Sequence, residues 1–171
     1  MPTPRHSAGV VTDCDDNIYA IGGSGNASSG APPATNIVEK YNPSSNTWQS
    51  DLAPMPTVRE AVAVVLGNDC KIYVIGGIDQ TNGVPSAIVF DIVEQYDPYA
   101  DAWATCESMP TARAALGAAR DVNGIIYAIG GLRSATSADA FDVGEAFEPC
   151  EADAEGPTTS AVLVDPNPVE V

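Results

Sequence analysis

The sequence predicts an all-β repeat protein of three units, each made of four short strands. A motif that returns at a fixed interval is the first reason: "MPTPR" begins at Met1, "MPTVR" at Met55 and "MPTAR" at Met109, 54 residues apart each time. In the same register, "NIYAIGG" ends at Gly23, "KIYVIGG" at Gly77 and "IIYAIGG" at Gly131. Self-similarity at a fixed period is the mark of a repeat architecture. The apolar residues, in turn, never sustain the spacing of a helix face.

Within a unit the strands follow in order. The first is small and β-branched: "SAGVVT" (7–12), "AVAVVL" (61–66) and "ALGAAR" (115–120). A polar turn leads to "IYAIGG" or "IYVIGG", apolar on both faces, as in a strand buried on both sides. The paired glycines Gly22 and Gly23, Gly76 and Gly77, and Gly130 and Gly131 let the chain leave the sheet with positive φ and close backbone approach. The third strand carries "IVEKY" to Tyr41, "IVEQY" to Tyr96 and the weaker "VGEAF" to Phe147, and Asn-Pro or Asp-Pro ends it in a turn in the first two units. The fourth strand carries Trp48 and Trp103, each seven residues after its tyrosine; Ala154 stands where the third unit would place its tryptophan. "SAVLV" (160–164) is the remaining apolar run able to supply that unit's fourth strand. Tyr and Trp, with large apolar faces and polar tips, suit the wedge between adjacent sheets.

The opening arginine, "IY-x-IGG", "VE-x-Y" and the Trp seven residues after the Tyr together resemble the kelch repeat, over about residues 1–157. The resemblance implies a kelch-type β-propeller segment of three four-stranded blades. Their spans are 1–54, 55–108 and 109–157, the last with a degenerate end, and 158–171 is a tail or closing strand. Propellers close with roughly four to eight blades, so three leave two open faces that must be covered by another chain or by further blades. Head-to-tail joining of two chains into a six-bladed ring is the expected resolution, since a heterologous contact closes when its rotation does. A chain that is part of a longer protein is the alternative, and an open stack running on as a filament is the third.

Composition narrows the partners. A formal charge of −16, with lysine only at positions 40 and 71, repels phosphate backbones and anionic membranes. It suits a basic partner, bound cations or a salty habitat, or serves solubility alone, and a protein partner stays open. No run of apolar residues is long enough to span a bilayer as a helix. The N-terminus lacks the pattern of a signal peptide, and Met1 shares its repeat position with Met55 and Met109, so it reads as a motif residue at the edge of a fragment. Cys14, Cys70, Cys106 and Cys150 allow three pairings and show no C-x-x-C spacing for zinc. Free thiols and disulfides both stay open, and with them the compartment, an extracellular or cell-surface one included.

Few residues carry chemistry. His6 is the single histidine, and in an extended strand it and Ser7 point to opposite faces, which argues against a Ser-His-Asp site. Kelch oxidases hold copper with tyrosines and histidines, a set one histidine cannot supply, so neither cofactor nor metal is expected. "TDCDDN" (12–17) reads as a solvated hairpin turn rather than a Ca²⁺ loop, and Glu39 and Glu94 as facing solvent or paired with a basic neighbour. Arg5, Arg59 and Arg113 occupy equivalent positions in a chain with five arginines, and the ring gathers them at its mouth. Each can bridge blades through glutamates or backbone carbonyls, and the family implies a partner-binding basin at this position, where guanidinium groups can fork onto carboxylates. The loops 24–36, 78–91 and 132–142 emerge on the same side and form the expected binding face. The resulting expectation is a non-catalytic binding or assembly module. Its alternatives are half of a larger sugar-processing or oxidase-type kelch enzyme, and a structural subunit of an extracellular array.

Overall fold

The computed structural model describes residues 1–25, 33–82, 86–135, 140–142, 144–147 and 150, together with the backbone of 162–164. Its first sheet runs β1 (Gly9–Thr12), β2 (Ile18–Ile21), β3 (Val38–Asn42) and β4 (Thr47–Gln49), in chain order and antiparallel throughout. The second contains β5 (Ala63–Leu66) and β6 (Ile72–Ile75). Beyond it, β7 (Ile78–Asp79) and β8 (Ile88–Val89) pair as a separate small hairpin, inside a segment read from the sequence as loop. The sheet resumes with β9 (Val93–Asp97) and β10 (Ala102–Thr105). The third sheet is β11 (Gly117–Arg120), β12 (Ile126–Ile129), β13 (Gly144–Phe147) and β14 (Val162–Val164). β14 lies within the 160–164 run and pairs Glu145 with Leu163.

The repeat fixes the register as well as the strands. Gly9 pairs with Ile21, Ala63 with Ile75 and Gly117 with Ile129, so each unit opens its inner hairpin at the same step. The innermost strands β1, β5 and β11 stand side by side. Just before them, Ala61 N–H donates to Ser7 C=O at 2.9 Å and Ala115 N–H to Ala61 C=O at 2.9 Å. Ser7, Ala61 and Ala115 all adopt positive φ, between 52° and 54°, so the same unfavourable turn recurs in every blade. A left-handed conformation retained three times outside glycine signals a geometry the packing imposes.

Two wedge cores hold the sheets together. Between blades 1 and 2, Tyr19, Ile21, Val38 and Met55 meet Ile72, Val74 and Tyr96. The Tyr19 and Tyr96 rings sit edge to face at 5.9 Å, and the Trp103 indole N–H donates to Ala53 C=O at 3.0 Å. Between blades 2 and 3, Tyr73, Ile75 and Val93 meet Leu116, Ile126 and Ala128, with Phe147 packed alongside in place of the expected tyrosine. Each boundary also carries a disulfide. Cys14 to Cys70 ties the first hairpin turns of blades 1 and 2, and Cys106 to Cys150 ties blade 2 to blade 3. Of the three pairings open in the sequence, the fold selects Cys14 with Cys70 and Cys106 with Cys150, and both bonds cross a blade boundary.

Candidate functional site

The three equivalent arginines form one repeated arrangement. Arg5 Nη1 donates to Glu39 Oε2 at 2.6 Å and its Nη2 to Ala20 C=O at 2.8 Å, while Thr3 N–H donates to Glu39 Oε1. In blade 2, Arg59 Nη2 reaches Glu94 Oε2 at 2.7 Å, Nη1 reaches Gly76 C=O, and Thr57 Oγ1 donates to Glu94 Oε1. In blade 3, Arg113 Nη2 donates to Glu145 Oε1 at 2.6 Å, and the guanidinium lies 4.3 Å from the centre of the Phe141 ring. All six charged side chains are at most 2% exposed. Charge-assisted bonds of this kind are the strong ones. Burial pulls the Arg59 guanidinium below its ordinary value, and Glu94 opposes the shift.

This placement decides between the two readings of the glutamates and corrects the bridging of blades expected of the arginine side chains. Glu39 and Glu94 do not face solvent; both are buried and paired with a basic neighbour. Among the described residues, the side-chain bonds of each arginine stay within its own blade, where they tie the opening segment to the second and third strands. Its backbone makes the contact across blades: Gly23 N–H donates to Arg59 C=O at 3.1 Å, and Gly77 N–H to Arg113 C=O at 2.9 Å. Glu145 completes the third pair although its flanking "VGEAF" departs from the motif. An acid recurring two residues before the aromatic residue of the third strand (Tyr41, Tyr96, Phe147) was the sequence signal for all three glutamates.

Next to each arginine, His6, Glu60 and Ala114 bridge to Ser24, Ile78 and Leu132, the residues that follow the paired glycines. The arginine segments and the starts of the long loops therefore share one side of the molecule. Most of the tips, 26–32, 83–85 and 136–139, lie outside the described residues. His6 Nδ1 sits 3.0 Å from Ser7 Oγ, because the left-handed Ser7 breaks the strand alternation that would have separated the two. The carboxylate nearest the ring, Glu60, lies 4.0 Å from that same Nδ1. A nucleophilic relay needs serine and acid on opposite ring nitrogens, so this is not one. Asp13 in "TDCDDN" accepts bonds from the Asp15 and Asn17 backbone and the Asn17 amide, closing a hairpin turn. No cluster of three or more His, Cys, Asp or Glu side chains fit to hold a metal occurs among the described residues.

The outward faces of blades 1 and 3 complete the candidate surface. Val10, Ile18, Tyr41 and Trp48 of blade 1 occupy the repeat positions of Val64, Ile72, Tyr96 and Trp103, which blade 2 packs against blade 1. Val10 is 62% exposed, and the Tyr41 and Trp48 rings lie 5.1 Å apart at this surface. On blade 3, Gly117, Ala119, Tyr127 and Ile129 match Ala63, Val65, Tyr73 and Ile75, and Ile129 is 56% exposed.

Comparison with known proteins agrees with this geometry. A family model described as the kelch motif matches residues 4–56 and 61–110. A kelch-like protein of Aspergillus terreus, terF, is 37% identical over 139 residues, covering 77% of this chain and 28% of its own length. An N-acetylneuraminate epimerase of Shigella sonnei is 41% identical over 68 residues, covering 39% of this chain and 18% of its own. The chain thus spans less than a third of the length of these curated relatives. The solved structure of YjhT superposes with a TM-score of 0.76 at 19% identity, covering 98% of this chain and 53% of that one, a likeness of fold alone.

Proposed function

Because this chain belongs to the kelch-repeat family, we propose that it is a non-catalytic binding and assembly module, a propeller half whose two open faces are closed by a second copy. One observation carries this reading: the faces left open at the two ends repeat, position for position, the faces that pack together inside the chain. Ser7 N–H stands at the blade-1 end of the inter-blade ladder and Ala115 C=O at the blade-3 end. Arg5 C=O and Gly131 N–H stand in the same complementary relation. The last blade of one copy therefore presents what the first blade of the next one takes. Exposed apolar side chains gathered on one face, such as Val10 and Trp48 on blade 1, are a recognised mark of an interaction site.

In this reading the long loops present a surface for a protein partner, and Arg5, Arg59 and Arg113 serve it by fixing the segments from which those loops start. The kelch-like relatives support a binding role. The epimerase matches support common repeats, since they cover less than half of the chain. Two disulfides across blade boundaries favour a second setting, a structural subunit outside the cytosol, where such bonds form and persist.

Cross-linking tests the closure. Cys14 and Cys70 bridge blades 1 and 2; Val122 has the repeat position of Cys14, and Asp16 that of Cys70, with φ of 62° against 61°. Under oxidation the Asp16→Cys/Val122→Cys double variant should give a covalent dimer, while each single variant should not. Light scattering on the unmodified chain should return twice the chain mass. A monomer at micromolar concentration, with no cross-link in the double variant, would sink the self-association.

A further inference from the structure

The two boundaries inside the chain are not alike at the hub. At the first, Gly9 faces Val64: a Cβ added to Gly9 would lie 2.6 Å from a Val64 methyl and 3.0 Å from Val62, so a valine on one blade fits only because its neighbour has no side chain. At the second boundary the equivalent pair is Ala63 and Ala118, both packed into the same core with Leu116. One boundary therefore joins a large residue to none, and the other joins two small ones. Both arrangements fill similar space, as close packing requires.

The open ends present the first kind of pair. Blade 3 has Gly117 at the position of Gly9, and among the described residues the sole heavy atom within 4 Å of its missing Cβ is Ile129 O, at 3.9 Å. Blade 1 has Val10 at the position of Val64, largely exposed. We infer that Gly117 is the notch, and Val10 the knob, that specify joining blade 3 of one copy to blade 1 of another. This inference rests on the self-association proposed above and names the residues that direct it. A second pair agrees. The Met55 and Met109 methyls lie 3.2 Å from the points where Gly22 and Gly76 would carry a Cβ, whereas at Gly130 the nearest atom is Phe141 O at 3.8 Å. Met1, the residue that would fill that space in a neighbouring copy, is 46% exposed.

The test is a size swap read by native mass spectrometry and sedimentation. Overpacking of a close contact costs about 1–3 kcal/mol, so Gly117→Val should weaken dimerisation about 5- to 150-fold for each junction. Its circular dichroism should match that of the parent, since the notch is empty within one chain. Mixed with a Val10→Ala chain, the Gly117→Val chain should form a heterodimer: one junction then has the parental pair, and the other joins a valine to an alanine. Restoration in the mixture, with loss in Gly117→Val alone, supports the inference even where the variant is somewhat less stable. If the parent forms the cross-linked ring yet Gly117→Val dimerises equally well, the notch is wrong and the ring stands. If the parent is monomeric, both fall.

Discussion

Arg59 Nη2 and Glu94 Oε2 lie 2.7 Å apart with both side chains buried, an ion pair in the interior of blade 2. Replacing one partner strands the other. Glu94→Ala should cost about 3–5 kcal/mol, as removal of one member of a buried pair does. Arg59→Met combined with Glu94→Leu, which removes both charges at comparable volume, should recover much of that loss. Urea unfolding of the three proteins measures it. A single variant as stable as the parent would mean that water reaches the pair.

Reduction should loosen the blade stack. The Cys14–Cys70 and Cys106–Cys150 bonds close loops with sequence separations of 56 and 44 residues. Disulfides typically contribute about 2–4 kcal/mol each, chiefly by constraining the unfolded chain. Cys14→Ser/Cys70→Ser should therefore melt below the parent, and added reductant, which opens both bonds, should lower the parent further still. Peptide mapping under non-reducing conditions checks the pairing itself; any fragment joining Cys14 to Cys106 would contradict it.

The two ends of the glycine series should respond differently to the same change. Gly22 has a φ of 63°, and a Cβ there would meet Arg59 C=O at 2.6 Å; Gly130 has a φ of 67° and, among the described residues, nothing closer than 3.8 Å. Gly22→Ala should combine left-handed strain with a clash against a neighbouring blade, while Gly130→Ala carries the strain alone, about 1–2 kcal/mol. A thermal melt should rank Gly22→Ala clearly below Gly130→Ala. If the ring closes as proposed, Gly130→Ala should in addition weaken the dimer.

Most strand positions were legible because the Met-Pro and paired-glycine signals came three times: a single "IYVIGG" is ambiguous, but three in one register leave one arrangement. The kelch likeness was legible for the same reason. The burial of Glu39 and Glu94 was not, since a carboxylate within a strand ordinarily reads as its solvent side, and only the arginine folded back from the opening segment neutralises it. The cysteines escaped because the bonded pair is not at one repeat position. Cys14 matches Asn68, and Cys70 matches Asp16, so the bond joins different turn positions on adjacent blades. The β7–β8 hairpin has two-residue strands, too short to show alternation. The left-handed Ser7 had no signal, as serine gives no warning of positive φ.

The buried tyrosines make alkaline stability a measurable property of the wedges. Burial is the main cause that raises the phenols of Tyr19, Tyr73 and Tyr96, with further contributions from Asp13, Asp69 and Asp101 respectively, while a Gln95 hydrogen bond opposes the shift at Tyr73. A phenol whose folded value is raised keeps its proton where the unfolded chain has lost it. The stability it contributes is then fully present below the unfolded value of about 10 and declines as pH rises beyond it. Each such group can steepen the decline by at most about 1.4 kcal/mol per pH unit. Unfolding free energies measured between about pH 9 and pH 11 should fall along this slope, and phenolate absorbance for these three rings should appear together with unfolding. Tyr73→Phe should make the slope shallower by about a third of the joint effect. Should all the tyrosines ionise in one step near pH 10 with the fold intact, the blade interfaces would be wet, contrary to the packing of Tyr19 on Tyr96.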